Sequence, residues 1–379
     1  MRGFGLIAGF AGMLVSLTAA ADPVASASSA FQADAAHDGS ITFSKPFGAP
    51  LKKLWSMDFG GQVSYPIVAG NLVIVIANAP VGVEMAALDV NTGKTIWRKL
   101  VDGTPENLGY LAYDSGLLFL QTNDGVLRAY NPANGVNQWS TQLPGQLFFN
   151  YVPVAANGYV YAAGDEEGVT VYQVDERSGL LQWSQLFDSG GQGLTFGAGK
   201  AYFPIPCNIL GLAPNGGRPV WNYYTGCTLG LGLVGSYYDG AFYAPGSFSG
   251  GGLIFSSATG EPIGSFNGSI PSFAGGLAYQ IAGQSIVAST VSSNNIRWHY
   301  APGTNLSLPP ITINGDVYTL SDSGDLYING GAGGRLKQHI HIGLGSVGAQ
   351  NTAPSSGLGA GQGKLFVPSG SLLVAFGVE

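Results

Sequence analysis

The stretch Ala87-Leu-Asp89-Val-Asn-Thr92-Gly93-Lys-Thr-Ile-Trp97 returns, with decay, about every forty residues, and this period constrains the chain more than any other feature. A glycine between two short apolar segments supplies the positive φ of a tight hairpin, so each copy reads as two antiparallel strands with a tryptophan on the second. The register recurs as Ala129-x-Asn131-x-x-Asn134-Gly135-x-x-x-Trp139, as Asp175-x-x-Ser178-Gly179-x-x-x-Trp183, and more loosely as Gly216-Gly217-x-x-x-Trp221. Later copies lose parts. Thr259-Gly260 leads to Gly264 where tryptophan is due, Asn294 stands in place of the turn glycine before Trp298, and Gly333-Gly334 is followed by Gln338. With Trp55 counted, the spacings are 42, 42, 44, 38, 43, 34 and 40 residues. A strand-rich period of this length means a propeller or a solenoid.

A second repeat gives an independent count. Glycines 70, 116, 158, 199, 240, 276, 315 and 363 are each followed three residues later by an aromatic or aliphatic residue, from Val73 to Phe366. That predicts eight units, each opening a short strand from a turn glycine. The eighth unit ends at Leu373 to Glu379, where the others enter their tryptophan hairpin, while an orphan Leu54-Trp55 strand lies near the N-terminus. The expected fold is an all-β, eight-bladed propeller of four-stranded antiparallel blades, closed by the Trp55 strand beside Leu365 to Phe376. Closure of this kind removes exposed sheet edges.

The motif Ala-x-Asp-x-x-Thr-Gly-x-x-x-Trp resembles the tryptophan-docking repeat of PQQ-like eight-bladed propellers, the group that contains PQQ-dependent alcohol dehydrogenases and the barrel-assembly lipoprotein BamB. The resemblance covers residues 55–379 and implies that Trp55, Trp97, Trp139, Trp183, Trp221 and Trp298 dock neighbouring blades. It does not extend that role to Gly264 or Gln338. The same resemblance would bring PQQ with calcium to an enzyme of the group, together with a vicinal Cys-Cys disulfide, channel carboxylates and a much longer chain. None of these is recognisable, so no cofactor is expected unless the chain is a quinoprotein-type oxidoreductase.

The remaining chain divides into three parts. Residues 1–21 carry Arg2, an apolar run from Phe4 to Leu17 and Ala19-Ala20-Ala21, which reads as a cleavable secretory signal. A membrane anchor is the alternative, disfavoured by the short run and the lack of a basic flank. No cysteine lies near the cleavage site, against a lipoprotein. Residues 22–50 lack periodic patterning and read as a tether, in which Asp34-Ala-Ala-His37-Asp38-Gly39 resembles the leader that precedes the first blade in the family. Residues 51–379 form the propeller domain. Charged residues are 10% of the chain, against roughly 25% in typical domains, so the surface is uncharged and polar. Loss of Arg2 with the signal moves the net charge from -7 to -8, and no basic stripe is present to approach phosphates. Nucleic acid is disfavoured. The expected product is an exported monomeric ring, periplasmic or extracellular.

Candidate site residues are sparse. The loops after each tryptophan strand and those between second and third strands share one face, where Val101 to Asn107, Gln142 to Asn150, Tyr223 to Gly230 and Ala244 to Gly251 are the long ones. Functional residues gather on such loops. Cys207 and Cys227, the only cysteines, fall on this face and are expected to form a disulfide, with buried free thiols as the alternative. Asp165-Glu166-Glu167 reads as a solvated turn rather than a calcium loop, because the alternating ligand spacing is missing. His37 with Asp38 lacks a third metal ligand at a suitable spacing. His339 and His341 alternate on one outer strand and so share a face, with solvated imidazoles favoured over a metal handle, and His299 belongs to a separate blade. None of the four histidines lies beside a nucleophile-elbow pattern, so Ser-His hydrolysis has no support. The expected function is a non-catalytic scaffold that holds a protein or glycan partner on a loop face or in the channel, with the oxidoreductase as alternative.

Overall fold

The computed structural model describes residues 25–101, 109–188, 191, 193–226, 234–246, 251–291, 293–343, 345 and 356–378. Eight antiparallel sheets form the ring, and in strand order each begins at the axis and ends at the rim. Blade 1 shows the plan, with strands Ile67–Ala69, Leu72–Ala79, Gly82–Asp89 and Thr95–Leu100. The outermost strands alternate exposed and half-buried residues, whereas the second and third strands are apolar on both sides because each blade packs between two others. The last blade takes its outermost strand, Lys52–Asp58, from the other end of the chain. It runs antiparallel to Leu372–Gly377, with Trp55 opposite Ala375 and Asp58 opposite Leu372.

In seven blades the first and second strands are joined by a two-residue turn in which both residues have positive φ: Ser115-Gly116, Asn157-Gly158, Ala198-Gly199, Asp239-Gly240, Gly275-Gly276, Asn314-Gly315 and Gln362-Gly363, whereas in blade 1 only Gly70 does. This is the primed turn whose twist matches that of the strands. It explains why glycine occupies the second position so regularly.

The tryptophans lock successive blades together by one repeated contact. Indole N–H groups of Trp55, Trp97, Trp139, Trp183, Trp221 and Trp298 donate to the carbonyls of Val90, Pro132, Glu176, Pro214, Ser257 and Gly331, each in the next blade. The turn glycine beyond each carbonyl lies flat on the ring. A Cβ on Gly93 would meet the Trp55 indole at 2.6 Å, and one on Gly135 would meet Trp97 at 2.9 Å. Within its own blade, the residue paired across from the tryptophan is small in five of six cases: Ala375, Ala87, Ala129, Gly211 and Ala288, with Gln173 the exception.

Where tryptophan is missing, its surroundings differ accordingly. Ile254 is paired with Gly264, and Ile328 with Gln338, so a branched side chain occupies volume that the indole would have filled. In the blade after Gly264 the turn glycine is replaced by Asn294, whose amide reaches back to the carbonyl of Ser265. Gln338 hydrogen-bonds both the N–H and the carbonyl of Leu51 at the start of the closing strand.

Candidate functional site

The segment read as a tether is, over residues 25–41, packed inside the ring. It is predominantly buried, including Phe31, Ala33, His37, Ser40 and Ile41. Its path follows the blades in order. Ser28 hydrogen-bonds Ala360 of blade 8 and Val68 of blade 1, Ser29 bonds Tyr113 of blade 2, Ala35 bonds Phe196 of blade 4, and Ala36 bonds Tyr237 of blade 5. Ser40 then donates its hydroxyl to Phe273 of blade 6, and Gly39 accepts from Thr312 of blade 7. Every one of these partners is the penultimate residue of an innermost strand. Those strands would otherwise present unpaired N–H and C=O groups to the axis, and the segment satisfies them as a main-chain washer. The loop closes on itself through a parallel bridge between Ala25 and Ile41 and a bond from Thr42 N–H to Ala25 carbonyl. Ser40–Ile41 adds a fifth, parallel strand to Ile311–Ile313. Curvature this tight needs left-handed residues at Gln32, Ala33, His37 and Gly39, and at Gly39 a Cβ would lie 2.5 Å from that of Ser272.

His37 pins the washer. Its Nδ1 lies 2.6 Å from the Phe31 carbonyl and its Nε2 2.9 Å from the Leu194 carbonyl. Both partners are acceptors only, so a neutral ring can donate to just one of them. Complete burial holds the pKa below the ordinary histidine value, while the two carbonyls pull it back up. Asp38 accepts the N–H of Ser40. Both ring nitrogens of His37 and one oxygen of Asp38 are thereby engaged by the fold itself.

The segment leaves past the turn residue Asn314, which accepts from Phe43 N–H and donates to the Lys45 carbonyl. The washer therefore lies toward the face carrying the two-residue turns, and the long loops surround the other end of the axis. Of those loops, residues 102–108, 227–233 and 247–250 lie outside the described residues. The loop from blade 2 to blade 3 is fully described and firmly held. Leu143 N–H bonds Gly125 carbonyl, Tyr172 hydroxyl donates to Pro144 carbonyl at 2.5 Å, and Gln146 donates to Thr170 at 2.7 Å. Phe148 and Asp165 exchange both main-chain hydrogen bonds, and Phe149 is buried against Gly164, where a Cβ would meet its ring at 2.5 Å. Yet Leu147 is 62% exposed and Phe148 56% exposed.

Asp165 and Glu166 end the strand Tyr159–Glu166, and Gly168 begins its partner, so the acidic run is a hairpin tip rather than a separate loop. Burial raises the Asp165 pKa, opposed by a hydrogen bond from the Tyr151 hydroxyl. His339 and His341 share a face and meet on one carboxylate oxygen of Asp325, at 3.0 and 2.8 Å. Partial burial pushes Asp325 upward, but bonds from Ser323, His339 and His341 hold it at about 2. His299 lies opposite Val287 in the preceding blade. Cys207 carries no free thiol, and Cys227 lies outside the described residues.

Sequence reasoning missed Glu176. It is 1% exposed, sits where blade 3 abuts blade 2, and shares a hydrogen bond with the half-buried Asp114. Burial first, and the Asp114 charge second, push its pKa to about 8. The signal available was its place directly after the motif aspartate, the position whose carbonyl always takes the preceding blade's indole.

For PQQ with calcium, the described residues bring no acidic or thiol ligand set together. The two cysteines are not vicinal, and among the described residues no three His, Cys, Asp or Glu side chains converge as ligands. Nor is any helix among the described residues long and apolar enough to cross a membrane.

Comparison with solved structures places the ring among known propellers. BamB from Moraxella catarrhalis aligns with a TM-score of 0.66 at 15% identity, covering 86% of this chain and 100% of that one. A europium-containing methanol dehydrogenase aligns at 0.70 and 12% identity, covering 91% and 90%. Quinohemoprotein alcohol dehydrogenase from Comamonas testosteroni reaches 0.72 at 14%, covering 93% and 81%. At such identities these likenesses show the fold alone. In sequence, outer membrane protein assembly factor BamB of Yersinia pestis is 25% identical over 146 residues, which is 35% of this chain and 36% of that relative's length. A family profile described as outer membrane protein assembly factor BamB matches residues 24–223, more than half of the chain and spanning both the washer and the best-kept tryptophan hairpins, and the chain belongs to that family.

Proposed function

We propose that this protein is an exported, non-catalytic scaffold, periplasmic or extracellular and not a lipoprotein, that holds a protein partner on its long-loop face. The observation that carries the reading is the loop from blade 2 to blade 3, bolted down by main-chain and side-chain bonds while two adjacent large apolar side chains, Leu147 and Phe148, stand in water. Ordering a loop to that degree costs conformational entropy, and burying apolar surface against a partner offsets it. The washer supports the same reading, since the axis at the inner strands is already filled by the chain itself. Family membership supports it too, the family's description being an assembly factor.

Photo-crosslinking residues placed singly around the long-loop face, followed by mass spectrometry of adducts from envelope extracts, test the proposal. A discrete protein adduct is the expected result. Absence of any protein adduct, with signal instead on a glycan array, would replace the protein by a glycan. Dye reduction after reconstitution with PQQ and calcium would replace the scaffold by the oxidoreductase reading. The pairing of Cys207 with Cys227 belongs to the same proposal, as a bridge holding one loop of this face. Two reactive thiols in denatured, non-reduced protein would overturn it.

A further inference from the structure

We propose that the blade 3 rim of the long-loop face docks an extended protein segment in which basic residues flank large apolar side chains. This rests on the scaffold reading and assigns the occupant's chemistry. The apolar half of the surface is Leu147 and Phe148. The charged half lies beside it, because Phe148 is bridged to Asp165 and the same antiparallel register puts Leu147 next to Glu166. Glu167 completes the hairpin tip, and the tip returns into Gly168, where a Cβ would lie 2.4 Å from the Phe187 carbonyl, so Asp188 borders the patch as well.

Charge selects the partner. The segments 143–151, 164–169 and 186–188 contain Asp165, Glu166, Glu167 and Asp188 and no lysine or arginine. On the neighbouring blade, Arg128 is already bound to Asp124 at 2.5 Å. Glu166 and Glu167 project freely into solvent, where an uncompensated negative field steers cations and repels anionic membrane lipid. An acidic rim around a large aromatic and a leucine is the arrangement in which a few apolar side chains carry affinity and the rim sets selectivity and salt dependence. The backbone beneath is fixed by the Phe148 to Asp165 bonds and by burial of Phe149, so the side chains are presented without reordering the loop.

The test uses the full chain and a fluorescein-labelled nine-residue peptide alternating lysine with leucine, read by anisotropy, with a glutamate-leucine peptide and anionic phosphatidylglycerol vesicles as comparators. Binding of the lysine peptide is expected to weaken at least tenfold in Leu147→Ser/Phe148→Ser and in Glu166→Lys/Glu167→Lys. Its salt dependence should shrink only in the second variant. All four residues are solvent-facing, and an unchanged thermal transition confirms that each variant is folded. Equal binding of the two peptides, unaltered binding by both variants, or vesicle binding that depends on Leu147 and Phe148 would overturn the proposal. Protein adducts that persist elsewhere on the face in both variants would overturn it too while leaving the scaffold standing, whereas the absence of adducts from every position removes both.

Discussion

Glu176→Gln isolates the buried carboxyl pair between blades 2 and 3. The folded pKa of Glu176 is raised to about 8 from an ordinary 4.5. A raised folded value means that the group's contribution to stability is complete below the unfolded pKa and is lost as pH rises through the folded one. The window therefore runs from about pH 4.5 to pH 8. At about 1.4 kcal/mol per unit, the full shift sets a ceiling of roughly 5 kcal/mol. Asp114 is half-buried beside water, so water screens part of the repulsion and roughly 2–3 kcal/mol is the working expectation. Glutamine keeps the shape, never ionises, and can donate its amide to the Asp114 carboxylate. The assay is urea unfolding at intervals from pH 5 to pH 9, with free energies taken by linear extrapolation. Native protein should lose about 2–3 kcal/mol more than the variant across that range, and the two should converge at the acid end. Parallel curves would refute the reasoning, because Glu176 would then ionise in the folded ring as easily as in the unfolded chain.

Other perturbations test the blade contacts and the washer. Trp55 is 9% exposed, so Trp55→Ala should cost about 3–5 kcal/mol by urea unfolding, whereas the half-buried Trp97 should cost about 2–3 on the same scale. His37→Leu removes the one donor shared by the Phe31 and Leu194 carbonyls, at about 1–3 kcal/mol for a buried acceptor, and should speed chymotryptic cleavage after Phe43 as the washer loosens. With its pKa held below the ordinary 6.5 by burial, His37 contributes stability that is full above that value and is lost as pH falls through the folded one, so the native protein should release the washer in acid. Ile254→Ala/Gly264→Trp/Asn294→Gly should be more stable than the sum of its single variants predicts, by about 1–3 kcal/mol, and additive free energies would mean that the three positions are not one contact.

The ring was legible because its determinants are local. Each blade needs a primed turn, a turn glycine and a docking indole at fixed offsets, and those chemistries repeat wherever the geometry repeats. The count of eight and the pairing of Trp55 with the last blade follow from the period together with the incomplete final unit. The washer was not legible for a matching reason. Residues 25–41 bind the inner strands mostly through main-chain groups, which every residue but proline carries in both kinds, so no side-chain period marks them. Only the left-handed backbone at His37 and Gly39 leaves a trace, in the His-Asp-Gly that the sequence shows without saying what it touches.

The decayed repeats make the same distinction sharper. Read along the chain, Gly264 and Asn294 are two separate losses of the motif, one tryptophan and one glycine. Read through the register, they are the two halves of a single docking contact. Removing the indole frees the space over the next turn, so glycine is no longer demanded there, and Asn294, in the left-handed conformation that asparagine tolerates, sends its amide into the gap. Ile254 takes up the remaining volume from within the blade. The motif thus records a contact between neighbours rather than a property of one blade, which is why its residues disappear together. The same logic locates Glu176. It occupies the contact position whose backbone alone is constrained by the preceding tryptophan, leaving its side chain free to vary and, in this blade, to meet Asp114 across the blade boundary.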